Sequence, residues 1–248
     1  MRAAEAVVRL SRRTEYTCRV PPPALLVRDV VKRFRDPEGV ERIVLSVPSL
    51  VLEAGATLAV SGESGSGKTT LLHVVSGILA PDEGVIEVAG EAMTGLSEAA
   101  RDRLRARTIG YVFQTFNLLS ALTSLENVAL GMTFRPRAGT NPAVAARAAL
   151  ERVGLSHRLH HRPEQLSIGQ QQRVAIARAL AGHPALVLAD EPTSNLDRDN
   201  AAACLDLLVA FAAESGAALL VVSHDPHVLA RFSKRVTLGE GAAAGKTS

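Results

Sequence analysis

Cysteine is scarce in this chain of 248 residues: there are two, Cys18 and Cys204, far apart and in unlike surroundings. That usage excludes a disulfide framework and fits a reducing compartment. Long apolar runs are missing as well. Stretches such as Ala217 to Val222 fall far short of the roughly 20 residues needed to cross a bilayer, so the chain is not expected to be its own channel. A large excess of one charge is also absent: 28 Lys and Arg face 25 Asp and Glu, a net charge of +3. So small a balance reads as a solvated surface, and no nucleic-acid partner is expected. The opening segment is arginine-rich (Arg2, Arg9, Arg12, Arg13), but it carries Glu5 and Glu15 and no apolar core for a secretory signal. It reads as an extension over residues 1–23. There is no internal repeat, and the one low-complexity segment is a Gly-Ala-rich tail over 241–248. What remains, 24–240, suits one sizeable domain able to bury its own core.

Pro21-Pro22-Pro23 bars helix and strand interior alike, so the folded part begins with Ala24 to Val31 as a strand. Asp36-Pro37-Glu38-Gly39 and Glu53-Ala54-Gly55 read as turns flanking the strand Ile43 to Val47, with Thr57 to Val60 next. These three strands look short and antiparallel. The period becomes helical from Lys68 to Gly77, returns to strand at Val85 to Val88, and is helical again from Ser97 to Arg107 before the strand Thr108 to Phe113. From about 115 to 180 the pattern is mostly helical, over Leu125 to Leu130, Pro142 to Val153 and Ile168 to Leu180, which reads as an inserted helical lobe. Ala185 to Leu188 and Leu219 to Val222 are wholly apolar, as strands of a parallel sheet buried on both faces are. The helix from about Asp199 to Ser215 between them makes a βαβ crossover. The fold class is therefore α/β: a mostly parallel sheet, an antiparallel β subdomain and an inserted helical subdomain.

The strongest local signal is Gly62-Glu63-Ser64-Gly65-Ser66-Gly67-Lys68-Thr69, which fits G-x-x-x-x-G-K-[ST] between a strand and a helix. Its glycines let the backbone curl so that successive N–H groups face phosphate oxygens, and the following helix adds its positive end. Lys68 would reach the β- and γ-phosphates as a point charge, and the Thr69 hydroxyl would ligate Mg²⁺. Gly245-Lys246-Thr247 repeats the last three letters of that loop, but Glu240 stands where its first glycine must be, no buried strand precedes it and no helix follows. It reads as linker.

Leu186 to Glu191 puts two carboxylates after a buried strand, at the end where open α/β sheets bind ligands. Asp190 would hold Mg²⁺ and Glu191 would orient or deprotonate the water that attacks the γ-phosphate. His224, after Leu219 to Val222 at the same sheet edge, would donate to the γ-phosphate. Gln114, after the strand ending at Phe113, is placed to sense Mg²⁺ or that water. His157, His160 and His161 cluster in sequence, but Arg158 and Arg162 surround them without a cysteine or carboxylate to complete a ligand set. No transition metal is expected there.

These residues define a P-loop nucleoside triphosphatase. Leu166-Ser167-Ile168-Gly169-Gln170-Gln171-Gln172-Arg173 goes further, because it resembles the signature motif of ABC ATPases, and the resemblance runs from about Ala24 to Leu238 with every element in family order. It implies a homodimer in which the signature of one subunit, through Ser167, Gly169 and Gln170, closes over the ATP held by the other. The resemblance further implies nucleotide contacts at Phe34, which matches the aromatic that stacks on adenine, and at Ser64, Gly65, Ser66, Gly67 and Thr70 of the phosphate loop. Ser194-Asn195-Leu196-Asp197 resembles the loop that couples the two sites across the dimer, which brings Asp197 into the set. Gln114, Glu191 and His224 match the family's water-contacting glutamine, catalytic glutamate and switch histidine. One departure stands out: Ile168 occupies the first glycine of the commoner Leu-Ser-Gly-Gly-Gln, which removes backbone freedom there.

Within the family, Gln114 to Leu119, Leu122 to Val128 and Leu188 to Asp197 are similar to the lipoprotein-release and macrolide-export group, with Ser194 where that group usually has glycine. The resemblance thus implies an ATPase, with ATP and Mg²⁺, that powers a separate integral membrane permease from the cytoplasmic face of the inner membrane. Three other roles are weighed. A soluble ABC ATPase of repair or translation needs coiled-coil arms or a second cassette, for which the chain has no room; a module that regulates a membrane-bound enzyme would share these motifs; and a small-molecule P-loop kinase would lack the signature.

Overall fold

The computed structural model describes residues 21–134 and 141–239. The arginine-rich opening with Cys18, residues 135–140 within the span that the sequence reads as a helical lobe, and Gly245-Lys246-Thr247 lie outside the described residues. Two sheets organise the rest. The antiparallel one has the order β2-β1-β4-β5, formed by β1 (Leu25–Arg35), β2 (Glu41–Leu52), β4 (Glu83–Val88) and β5 (Glu91–Ala92). The second has the order β6-β7-β8-β3-β9, from β3 (Thr57–Gly62), β6 (Ile109–Val112), β7 (Leu186–Asp190), β8 (Ala218–Val222) and β9 (Arg235–Leu238). All its pairings are parallel.

Strand β3 corrects the sequence reading, which grouped Thr57 to Val60 with the antiparallel strands: it pairs in parallel with β8 on one side and β9 on the other. So short an apolar run, Leu58 to Val60, carries no sign of its partner's direction. The first two strands are also longer than their apolar stretches. β1 continues through Lys32-Arg33-Phe34-Arg35 beyond a register shift between Lys32 and Arg33. Its charged residues stay in the ladder because they have acidic partners nearby: Lys32 meets Asp82 at 3.0 Å and Arg33 meets Glu83 at 2.5 Å.

Alternation along β7 and β8 explains why their sequences are apolar throughout. Val187, Ala189, Leu219 and Val221 face one buried cluster, while Leu186, Leu188, Ala218, Leu220 and Val222 face the other. Successive strand side chains point to opposite faces, so a strand covered on both sides has no polar position. The first cluster packs under α3 (Ser124–Thr133), α4 (Pro142–Arg152), α5 (Ile168–Leu180) and α6 (Arg198–Ser215); the second lies between the two sheets with α1 (Lys68–Val75) and α2 (Glu98–Thr108). Each buried Leu or Val of these strands contributes roughly 1.5–3 kcal/mol of transfer free energy. A last short helix, α7 (Pro226–Leu229), follows β8.

Helix starts follow local chemistry. Thr123 and Glu126 form a capping box at α3, Ser167 and Gln170 form another at α5, Asn141 caps α4 with Pro142 behind it, and Asp197 accepts the Asn200 N–H at α6. Each supplies an oxygen to an N–H that the helix itself leaves unpaired. The long helix α6 ends at Gly216, whose φ of 69° is the left-handed conformation that stops a helix. Strand β7, α6 and β8 form the expected crossover, with β7 and β8 adjacent and parallel.

Candidate nucleotide site

Because β6, β7, β8 and β3 are neighbours and run the same way, their carboxyl ends deliver four loops to one sheet edge. The phosphate loop leaves β3, Gln114 follows β6, Asp190 and Glu191 end β7, and Ser223 and His224 follow β8. These loops surround a cavity of about 540 Å³ lined by Ser64, Gly65, Gly67, Lys68, Thr69, Thr70, Gln114, Asp190, Glu191 and His224, with Val44 reaching over from β2. Of the residues singled out from sequence, the structure brings these ten together.

The phosphate loop is wound by glycines with φ of 83° at Gly65 and 88° at Gly67. Gly67 also has the Val44 carbonyl 2.5 Å from where a Cβ would stand, so both its conformation and its surroundings demand glycine. The Lys68 ammonium donates back to the carbonyls of Gly62 at 2.8 Å and Glu63 at 2.7 Å, which holds it across the loop. Ser66 is buried beneath, its N–H bonded to the Glu63 carbonyl at 3.2 Å.

Thr69 donates its hydroxyl to Asp190 Oδ1 at 3.4 Å, so two hard oxygen donors sit together at the start of α1. Burial pushes the Asp190 carboxyl above the usual carboxylate range; the Thr69 hydrogen bond works the other way, Glu191 adds to the rise, and His73 and Lys68 offset part of it. A buried carboxylate beside a hydroxyl and an amide is a donor set suited to a small divalent cation that keeps most of its other ligands as water and phosphate oxygen.

Glu191 stands in the left-handed region at φ 41°. Its N–H reaches the Val222 carbonyl at 2.9 Å, and its own carbonyl accepts the Ser194 N–H at 3.2 Å and hydroxyl at 3.1 Å. This bend turns the carboxylate toward β8, where the His224 N–H meets Oε1 at 3.1 Å and His224 Nδ1 lies 2.6 Å from the same oxygen. An ionised carboxylate only accepts, so Nδ1 carries the proton there. The His224 side chain is 68% exposed, whereas that of Glu191 is 10% exposed.

The remaining sequence-derived residues lie elsewhere in the chain. Phe34, 42% exposed, has the Lys32 ammonium 5.6 Å from its ring centre and lines a separate, smaller cavity of about 330 Å³ with Arg33, Arg35, Glu41 and Asp82. Ser167, Gly169, Gln170 and Asp197 do not line the cavity of their own chain. Ser167 is instead the N-cap of α5, and Ile168 is its first residue. Among the described residues with positive φ Ile168 does not figure. The position is ordinary helix, so the isoleucine costs none of the backbone freedom that the sequence comparison assigned to it. Its side chain is 53% exposed.

Three residues outside the set of site residues read from the sequence also shape the site. Ser223 donates to Glu191 Oε2 at 3.0 Å. Asn195 donates to the Gln114 carbonyl at 2.8 Å, tying the loop after β7 to the loop after β6. Arg178 of α5 donates to the carbonyls of Phe116 and Asn117, each at 2.5 Å. All three act through backbone or through another side chain, and no motif marks such contacts; for Ser223 the available signal was a hydroxyl at the end of a core strand, beside His224.

A phosphate loop at the head of a parallel sheet, a buried acid pair and a histidine on the next strands, and a capped signature helix define a P-loop ATPase of the cassette type. Comparison with known proteins carries this to a family. The ABC transporter family pattern matches residues 45–194. The lipoprotein-releasing system ATP-binding protein LolD of Hydrogenovibrio crunogenus is 42% identical over 217 residues, spanning 88% of this chain and 94% of that protein. The ABC transporter ATP-binding protein YbbA of Escherichia coli is 42% identical over 201 residues, spanning 81% of this chain and 88% of that one. Among solved structures, a dimeric post-hydrolysis state of the ATP-binding cassette MJ0796 bound to ADP and Pi is similar with a TM-score of 0.82 and 33% identity, over 90% of this chain and 97% of that one. The chain belongs to the ABC transporter family, as an ATP-binding and ATP-hydrolysing subunit.

Proposed function

We propose that two copies of this chain sandwich two ATP molecules with Mg²⁺ and drive a separate integral membrane permease of the lipoprotein-release type from the cytoplasmic face of the inner membrane. The observation that carries this reading is the convergence of Lys68, Thr69, Asp190, Glu191, His224 and Gln114 on one cavity. The similarity to LolD supports the transport type, and the dimeric state of MJ0796 supports the pairing. In this reading residues 24–240 form the ATPase domain, with the helical lobe at about 115–180 facing the permease.

The phosphate loop N–H groups and Lys68 bind the β- and γ-phosphates, and Phe34 stacks on the base. Thr69, Asp190 and Gln114 would hold Mg²⁺, which would supply neutralisation of phosphate charge. Glu191 accepts a proton from the attacking water while that water's oxygen bonds to the γ-phosphorus, and the bond to the β-γ bridging oxygen breaks, leaving ADP and phosphate. His224 steadies Glu191 and faces the γ-phosphate. Ser167, Gly169 and Gln170 of the second copy, with the N-terminus of its α5, complete the site, and Asp197 lies in the loop that joins the two sites. ATP favours the closed pair, hydrolysis releases it, and the difference in affinity between the two states does the mechanical work.

The test is phosphate release from MgATP by the wild-type chain, Lys68→Ala and Glu191→Gln, alone and with the membrane protein that copurifies in detergent. Partner-stimulated hydrolysis, lost in Glu191→Gln with an accumulated ATP-bound dimer, is the expected result, with nucleotide binding lost in Lys68→Ala. Hydrolysis by Glu191→Gln at the wild-type rate would overturn the role given to Glu191, and capture of a membrane enzyme with no transported substrate would replace transport by regulation.

A further inference from the structure

A carboxyl group turns about its last side-chain bond with little resistance, so a glutamate that must meet one water molecule needs its own rotation fixed. In Glu191 the two oxygens are held differently. Oε1 meets the N–H and Nδ1 of His224, a residue that lines the nucleotide cavity. Oε2 points the other way, to the Ser223 hydroxyl at 3.0 Å, the one donor to that oxygen among the described residues.

Ser223 is 0% exposed and is not among the cavity-lining residues. It lies behind the carboxylate and can touch neither nucleotide nor attacking water. Its proton has a fixed direction. The Asp225 N–H, which can only donate, reaches Ser223 Oγ at 3.1 Å, so the oxygen accepts there and its own hydrogen is left for Glu191. Donation therefore runs from the Asp225 N–H through the Ser223 hydroxyl to Glu191 Oε2. The first residue of that relay is also anchored, because the Asp225 carboxylate caps α7 by accepting the His227 N–H at 2.8 Å.

We propose that Ser223 is a positioning residue for ATP hydrolysis, holding the Glu191 carboxylate by Oε2 so that Oε1 is the oxygen presented to the cavity. The assignment rests on the reading of Glu191 as the residue that meets the attacking water. A hydroxyl that acts only through the carboxylate affects turnover and not nucleotide binding. Loss of a comparable supporting contact lowers activity roughly 10–100-fold.

The experiment measures kcat and KM for MgATP, affinity for a fluorescent ATP analogue and melting temperature in the full chain and in Ser223→Ala, Ser223→Thr, Ser223→Val and Glu191→Gln. Ser223→Ala is expected to lose about tenfold to a hundredfold in kcat with KM and analogue affinity within about twofold of wild type. Ser223→Thr restores turnover, and Ser223→Val, with the same shape and no hydroxyl, does not. Where Thr does not fold in the buried site, a Ser223→Ala chain that melts and binds as wild type but turns over slowly supports the assignment by itself. Wild-type kcat in Ser223→Ala, a change confined to KM, or rescue by Val as good as by Thr overturns it. Wild-type turnover in Glu191→Gln overturns the reading of Glu191 and Ser223 with it; turnover lost in Glu191→Gln and intact in Ser223→Ala overturns Ser223 alone.

Discussion

Replacing Arg178 by alanine should loosen the loop that carries Gln114 while leaving the phosphate loop intact. The guanidinium of Arg178 forks onto two successive carbonyls, Phe116 and Asn117, each at 2.5 Å. Both residues have positive φ, 61° and 49°, a conformation that asparagine tolerates and phenylalanine adopts only at a cost of about 1–2 kcal/mol. No ion pair among the described residues includes Arg178, and burial lowers its pKa, so the cation is desolvated and held by these carbonyl dipoles. A hydrogen bond from a charged group contributes about 1.5–3 kcal/mol. Two bonds, less the desolvation recovered and the rehydration of the exposed Asn117 carbonyl, leave a net loss of about 2 kcal/mol in Arg178→Ala. For a chain of this size that is a fall in melting temperature of about 4–8 °C. Scanning calorimetry reads the fall, and hydrogen exchange at the amides of Phe116 to Leu119 should quicken in step. Arg178→Lys should recover less than half, because an ammonium is a point charge and cannot span two carbonyls as a planar fork does. A melting temperature within a degree of wild type together with unchanged exchange would refute this account of how the loop is held.

Gly110 lies where β6 passes under α5 so closely that an added Cβ would overlap the Ala179 carbonyl; Gly110→Ala should cost about 3 kcal/mol or fail to fold, as read by urea unfolding, and wild-type stability would mean that the strand and helix separate freely. Burial pushes the Cys204 thiol up to about 12, so in a Cys18→Ser background it should resist a maleimide in the native chain and react at once in urea; rapid native labelling would show that α6 opens locally. Burial also raises the Asp190 carboxyl, and a group whose folded pKa exceeds its unfolded one contributes stability at low pH that is lost as pH rises through the folded value. With EDTA and no nucleotide, Asp190→Asn should therefore melt above wild type at pH 8, with the gap narrowing toward acid pH; equal melting at pH 8 would show that the ionised side chain is not penalised.

Motif residues and apolar runs made the site's main parts legible from sequence, because each depends on local rules. The phosphate loop is a backbone shape that its glycines encode, α5 begins where Ser167 and Gln170 can cap it, and β7 and β8 are apolar because both faces are covered. What escaped was set by partners distant in sequence. The tail of β1 carries Lys32, Arg33 and Arg35, a poor strand by composition, and is held by the ladder with β2 and by Asp82 and Glu83 some fifty residues on. By sequence β3 reads as antiparallel because its short apolar stretch, Leu58 to Val60, does not reveal that the next strand in space is β8. β5, β9 and α7 are two or four residues long, too short for any period to show. The concern over Ile168 failed for a similar reason: glycine in the commoner motif implied a need for backbone freedom, whereas the first turn of a helix has none to satisfy.

The contacts that motifs do not mark join the parts that motifs do. Asn195 ties the loop after β7 to the Gln114 carbonyl, Ser194 closes on the Glu191 carbonyl, and Arg178 grips the residues just past Gln114 from α5, the helix whose other end carries Ser167. Asp197 accepts both the N–H and the side-chain amide of Asn200, and that amide lies against Gly169: a Cβ there would meet Asn200 Oδ1 at 3.6 Å. Within a single subunit the turn of Glu191 and the loop of Gln114 are therefore joined by hydrogen bonds, Arg178 links that loop to α5, and the signature end of α5 lies in van der Waals reach of Asn200. In the proposed dimer, closure of a second copy on Ser167 would have a short route along α5 to the loop of Gln114 and from there to the turn of Glu191. Proximity alone does not establish coupling, which requires two arrangements of these contacts whose balance nucleotide shifts. The positive φ at Phe116, Asn117 and Glu191 marks the three places where the backbone has a better conformation available once those bonds are released.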